Sequence, residues 1–155
     1  MIGRIVVSTG KYCNLKDNSR LEMDEAIPIV KLCEKQNDKR VFGVIGGWDE
    51  TGTFQIGNIQ FSQPLSRHRA IIHSVGEGCI YVCDKNGPIE NGDYITTSDI
   101  PGYGMRQDSP YLANTTVAKI TCDCDFNTKS RIYKCHTIKH KGKQIRVALV
   151  GCTYH

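Results

Sequence analysis

The chain has 155 residues, of which 23% are charged and 39% hydrophobic, and its formal net charge is +4. That length suffices for one domain, residues 1–155, with a core of its own. No apolar run approaches the roughly 18 residues of a membrane-spanning helix, so no membrane partner is expected. The amino-terminal Met1-Ile2-Gly3-Arg4 has no signal-peptide architecture and enters a strand directly.

Residues 3–8 read as the first strand and the polar residues 9–20 as a loop or wide hairpin. A helix over residues 21–34 is suggested by Glu22, Met23, Asp24 and Glu25 but opposed by Pro28, which costs a helix interior about 3 kcal/mol. Residues 26–33 are therefore predicted as a strand with an edge position or bulge at Pro28. A charged connection leads to a buried strand over residues 40–45, and residues 46–52 read as a turn that carries the only tryptophan, Trp48. In residues 53–61, Phe54 and Ile56 share one face and Ile59 and Phe61 the other, which predicts a strand bulged near Gly57. A loop over residues 62–69 precedes a strand through Ala70, Ile71 and Ile72.

Ile80, Tyr81, Val82 and Cys83 then form a short apolar run suited to a pleated surface. Asn86-Gly87 and Asn91-Gly92 mark turns. Tyr94, Thr96 and Ser98 alternate with Ile95 and Thr97 at the period of a strand, which Pro101-Gly102 ends. Residues 107–114 form a loop and residues 115–124 a strand. Residues 131–138 and 144–152 make a closing hairpin that turns at His140-Lys141-Gly142-Lys143. This pattern of about ten short strands punctuated by Gly, Asn and Pro, with no long helix, predicts an all-β barrel or sandwich.

Eight cysteines occur without a C-x-x-C pair. They read as free, mostly buried thiols in a reducing compartment. A metal site built from Cys122, Cys124, Cys135 and His136 and a set of disulfides remain alternatives. No cofactor is expected. Glu22, Asp24 and Glu25 are the densest acidic cluster and the candidates for acid–base work, against the plainer reading of a solvated turn. Ser74 beside His73, and Cys135 beside His136, are adjacent on strands and point to opposite faces. Neither G-x-S-x-G nor H-E-x-x-H occurs, and the paired glycines lack the Lys-Ser/Thr step of a phosphate loop.

From Phe126 to His155 there is no Asp or Glu, whereas Lys129, Arg131, Lys134, Lys139, Lys141, Lys143 and Arg146 are all cationic. Three readings stand: a solvated hairpin tip whose lysines discourage edge pairing, a contact with an acidic face of a neighbouring subunit, and a polyanion-binding hairpin. Only Phe126, Tyr133 and Tyr154 lie near this end, too few for a stacking ladder, so nucleic acid is not the expected partner.

Gly92-Asp93-Tyr94-Ile95-Thr96-Thr97-Ser98, followed by Ile100-Pro101-Gly102-Tyr103-Gly104-Met105, resembles the GDxIxTSxxPGYxM signature of the intramolecular-chaperone auto-processing domain. That domain is the glutamic-type peptidase of phage pre-neck appendages and related viral tail-fibre proteins. Gly3-Arg4-Ile5-Val6-Val7, Val41-Phe42-Gly43-Val44-Ile45, Val117-Ala118-Lys119-Ile120 and Arg146-Val147-Ala148-Leu149-Val150-Gly151 resemble its flanking strands, so most of the chain is covered. The signature positions Gly92, Asp93, Thr96, Ser98, Pro101 and Gly102 carry over as structural residues. The resemblance implies a C-terminal assembly module, released by self-cleavage, that brings identical chains into register. Its partners would be copies of itself, as a trimer, and the upstream fibre segment of the same polypeptide. Its setting would be the virion or the host cytoplasm during assembly. The family's acidic cleavage motif, of the YAEYFE kind, precedes the strand matching Gly3 to Val7. It is therefore expected upstream of this chain, and no catalytic residue is transferred. A peptidase still active through Asp24 or a neighbour is the enzymatic alternative.

Overall fold

The computed structural model describes residues 1–13, 26–49, 53–62 and 69–155. These form strands β1 (Ile5–Tyr12), β2 (Pro28–Leu32), β3 (Val41–Asp49), β4 (Thr53–Ile56), β5 (Ile59–Ser62), β6 (Arg69–His73), β7 (Gly76–Cys83), β8 (Tyr94–Thr97), β9 (Gly104–Arg106), β10 (Thr116–Ile120), β11 (Lys134–His140) and β12 (Lys143–Tyr154). The helical content among the described residues is a single 3₁₀ turn, Asp84–Asn86. The fold is all-β, as the spacing of turn residues predicts, and no described helix is long and apolar enough to cross a membrane.

Two sheets carry the architecture in a sandwich-like arrangement. The smaller has the order β2-β1-β3-β6, and the larger β10-β8-β9-β7-β12-β11. β12 also pairs with β10, through Ala118 opposite Tyr154 and Ile120 opposite Cys152, so five strands of the larger sheet close into a ring. β11 extends the sheet along the remaining stretch of the same β12 edge. One core joins the two sheets. Ile5, Val7 and Val44 come from the smaller sheet, and Ile80, Val82, Ile95, Val117, Ile120, Ala148 and Val150 from the larger. Burial of such residues, about 1.5–3 kcal/mol each, is the main stabilising term.

Several boundaries differ from the sequence reading, each for a physical reason. Of the turn expected over residues 46–52, residues 46–49 are strand, and residues 50–52 lie outside the described residues. β3 runs on through Gly46, Gly47 and Trp48 to Asp49 because β6 pairs with it, Gly47 opposite Ile71 and Trp48 opposite Ala70, with a bulge between Ile45 and Gly47. The absence of a Cβ at Gly46 lets the His73 ring lie against the strand; a Cβ there would be 1.8 Å from the ring and would push it aside. The segment 53–61 is two strands rather than one bulged strand. The chain reverses at Gly57, whose φ is +60°, and pairs Phe54 with Phe61 and Ile56 with Ile59, so the change of apolar pattern marks a hairpin.

The strand expected over residues 115–124 stops at Ile120, and Cys124 instead bridges to Ile89. β9 is a strand that the sequence does not announce. It is three residues long and pairs in parallel with β7, Val82 opposite Gly104. The final hairpin turns where expected, with Lys141 and Gly142 both at positive φ, 50° and 78°, as a two-residue turn demands.

Gly104 sits in close contact with its neighbour strand β8 and with β1 of the facing sheet. A Cβ at this position would lie 2.4 Å from Ile95 Cγ2, 3.0 Å from Ile5 Cδ1 and 3.2 Å from the Thr96 carbonyl oxygen. Gly104→Ala should therefore lower stability by about 1–3 kcal/mol, the usual result of overpacking a core, as read by urea unfolding. Gly142→Ala, with no atom within 4 Å of its Cβ but a φ of +78°, reports the backbone effect alone for comparison.

Candidate functional site

The segment resembling the family signature begins at the 90–93 turn. Gly92 adopts φ +99° and donates its N–H to the Ile120 carbonyl. Asp93 closes the turn, its Oδ2 accepting the Glu90 N–H at 2.9 Å. The chain then enters β8, whose last two threonines are buried. Thr96 Oγ1 donates to the Thr115 carbonyl at 3.1 Å. Thr97 Oγ1 donates to the Lys35 carbonyl at 2.7 Å and accepts the Asp38 N–H at 2.8 Å, while the Thr97 carbonyl accepts the Asn37 N–H. β8 of the larger sheet is thereby bonded to the loop between β2 and β3 of the smaller one.

The turn after β8 repeats the device. The buried Ser98 Oγ donates to the Tyr103 carbonyl at 2.7 Å and accepts the Ile100 N–H at 3.1 Å. These bonds hold Pro101-Gly102 against β1 and β2. Gly102, at φ +79°, donates to the Cys33 carbonyl and accepts from the Ile5 N–H, while Cys33 N–H donates to the Ile5 carbonyl. A Cβ on Gly102 would meet Arg4 and Leu32 at 3.1 Å. Arg4 covers the joint from outside. Its Nη1 donates to the Pro101 carbonyl at 3.0 Å, and its guanidinium lies 3.9 Å from the Tyr103 ring centre, with Tyr81 edge-on to Tyr103. The arrangement is a latch between sheets. Its hydroxyls are engaged by backbone groups, which suits holding rather than reacting.

Asp38, at the far end of the latch, is 4% exposed and receives Arg40 Nε at 2.9 Å and Nη2 at 2.6 Å, as well as the Arg40 N–H. The bound guanidinium lowers its carboxyl to about 2. The sequence names Thr97, Tyr103 and Arg4 only within stretches that resemble the family and gives them no role, and it passes over the Asp38–Arg40 pair. The threonine stands at the motif's own spacing, and the Asp-Lys-Arg run was the available trace of the ion pair.

The other candidates disperse. Glu22, Asp24 and Glu25 lie outside the described residues. Cys122, Cys124 and Cys135 border one apolar core, but His136, next along β11, is exposed. No group of three or more His, Cys, Asp or Glu among the described residues is placed to hold a metal ion. All eight thiols are free. Cys33, Cys83, Cys124 and Cys152 are buried, and Cys13 and Cys79 are exposed. Burial pushes Cys33 up to about 11 and Cys152 up to about 12, and raises Cys83, Cys124 and Cys135 as well.

In the basic hairpin, Lys139, Lys141 and Lys143 are exposed and take part in none of the ion pairs among the described residues. Arg146 differs from them. Its Nε meets Asp84 Oδ2 at 3.0 Å and its Nη1 the Phe126 carbonyl at 3.2 Å, so its charge is already paired. Phe126, Tyr133 and Tyr154 are buried at 1%, 8% and 7% exposure, which leaves them no face for stacking bases. Ile138 and Ile145 anchor the hairpin's base against Cys83, Ile100, Tyr103, Met105 and Val147. Comparison of the chain with family models, with curated proteins and with solved structures finds no match.

Two measurements follow from this geometry. Asp38 has a folded pKa below its ordinary value, so its contribution to stability is complete above pH ~4 and is lost as the pH falls toward 2. Asp38→Asn should lower the thermal midpoint at pH 6, and the gap between variant and parent should narrow through that window. Equal gaps at pH 6 and pH 2.5 would contradict the assignment. A thiol reagent at pH 8 should label Cys13 and Cys79 first, with the buried thiols reacting only after denaturant is added.

Proposed function

We propose that this chain is an assembly module of the intramolecular-chaperone kind, the part of a viral fibre or appendage protein that gathers identical chains and is freed by cleavage upstream of it. The latch carries this reading. Within the stretch that resembles the family signature, Thr97 and Gly102 join the two sheets, so part of the resemblance falls on an architectural joint. A β-module locked in this way presents fixed surfaces, which suits holding several chains in register.

The unpaired lysines of the β11–β12 hairpin supply a second element. Together with acidic residues exposed in the loops before β8 and after β10, Glu90 and Asp123, they would supply the opposite charges that head-to-tail contacts between copies need. Such charges orient contacts that close into rings, and a trimer is the ring proposed. Charge sets the orientation there, while apolar contacts supply most of the affinity.

Light scattering at micromolar concentration and moderate salt tests the reading. A mass near three times 17.3 kDa is expected, and a mass near 17.3 kDa overturns it. Changing Lys139, Lys141 and Lys143 together to Glu should lower the oligomer's mass or its thermal midpoint. If neither changes, the hairpin is not at the interface.

A further inference from the structure

Among the described residues, β2 and β6 end the smaller sheet and β11 ends the larger, whose other end is closed by the β10–β12 pairing. The first two edges are irregular. β2 begins at Pro28 and its pairing with β1 shifts between Ser8 and Tyr12, and the pairing of β6 with β3 shifts between Ile45 and Gly47. β11 is different. Its seven residues, Lys134 to His140, pair with Leu149 to Lys143 in one unbroken register, and none of them is Pro or Gly. A regular edge of this kind is a template for one more strand.

The ladder shows which backbone groups that edge offers. Opposite residues of an antiparallel pair alternate between those that exchange both hydrogen bonds and those that exchange none. Arg146 lies opposite Thr137, yet its N–H donates to Asp84 Oδ1 at 3.1 Å, on the side of β12 away from β11. Thr137 and Arg146 are therefore a pair of the second kind, and so, by alternation, are Cys135 with Ala148 and Lys139 with Gln144. The two-residue turn at Lys141-Gly142 agrees, since it makes the flanking His140 and Lys143 a bonded pair. The N–H and C=O groups of Cys135, Thr137 and Lys139 thus point off the sheet, and no strand among the described residues takes them up.

Charge decides what fits there. Lys134 and Lys139 stand on opposite faces of β11, both exposed and in none of the ion pairs among the described residues. Lys129 and Arg131 are exposed just before the strand, and residues 126–155 hold no Asp or Glu. The β11 edge of a second copy would bring lysines to lysines with no carboxylate to offset them, so self-pairing is disfavoured. The same charges favour a strand that carries carboxylates, so one set of lysines rejects the first partner and admits the second. A nucleic-acid backbone has phosphates for the lysines but no regular row of donors for the three outward carbonyls. We infer that the free edge of β11 binds an extended acidic segment of another protein, which adds as a further strand, exchanges hydrogen bonds with Cys135, Thr137 and Lys139, and sets carboxylates beside Lys134 and Lys139. Because those two lysines are five positions apart on opposite faces, acids spaced five apart in the guest match them in one register. The inference does not rest on the assembly reading above, with which it shares only Lys139.

The test titrates the whole chain, at low salt, with capped seven-residue peptides that carry Glu at the first and sixth positions and Thr or Val elsewhere. Saturable binding is expected, with amide exchange slowed at Cys135, Thr137 and Lys139. Changing Lys134 and Lys139 together to Glu should weaken it roughly tenfold, and that variant should instead bind the peptide with Lys at both positions. Thr137→Pro removes an outward N–H but keeps every charge, and it should abolish binding. Two peptides N-methylated at alternate positions, in the two phases, probe the same bonds without altering the protein, so the proposal stays decidable if the proline variant is unstable. One of them should lose binding and the other keep it. No saturable binding of the Glu peptides, retention by both N-methylated forms, or parental affinity in the double lysine variant would each overturn the proposal. Light scattering on the same samples reads the oligomer's mass, so failure here and failure of the assembly reading are told apart.

Discussion

A set of hydrogen bonds between Thr97 and Gly102 on one side and residues 5, 33, 35, 37 and 38 on the other, with Ser98 bracing the turn between them through the Tyr103 carbonyl, holds the two sheets in register. Hydrophobic burial drives the sheets together, but it is indifferent to a shift of one residue. The polar contacts are not. Buried hydroxyls and N–H groups left unpaired would each cost about 1–3 kcal/mol, so only the registry that satisfies them all is occupied. The latch therefore contributes uniqueness more than gross stability.

The same burial makes the cysteines quiet. A thiol reacts through its thiolate, and burial raises the pKa of five of the eight in a core that offers no compensating cation at hydrogen-bond distance. Their abundance is thus explained by packing. Cysteine is small and apolar, and it fits where Cys33, Cys124 and Cys152 meet the strands of the shared core. The chemistry that remains accessible lies on the rim, in the lysines of the final hairpin and the free edge of β11.

Paired cations and paired acids change how the charge pattern is understood. Arg146 belongs to Asp84 and Arg40 to Asp38, so both are structural charges that the sum along the sequence counts as free. Lys139, Lys141 and Lys143 are the part of the basic end that can act on a partner. The buried aromatic residues at that end leave these cations to act through charge and shape alone.

Local pattern determined the fold class, most strand positions and the final turn. Alternation, Asn-Gly pairs and Pro are interactions of a residue with its own backbone, so Ile80 to Cys83, Tyr94 to Thr97 and Lys141-Gly142 are legible without a partner. The resemblance of the Gly92 to Met105 stretch was legible too, as a pattern of glycines and hydroxyls. What those hydroxyls bind was not. The partners of Thr97 lie 59 and 62 residues away, and nothing local encodes that distance. The same limit hid β9, whose three residues become a strand only because β7 and β8 flank them, and the run of β3 past Gly46, which exists because β6 pairs with it. The cysteines could be counted from the sequence, but that His136 faces away from Cys135's side of the core follows from the pairing of β11 with β12. Strand identity is a property of the segment. Registry and closure of the ring arise from contacts between distant segments, and only the assembled structure contains them.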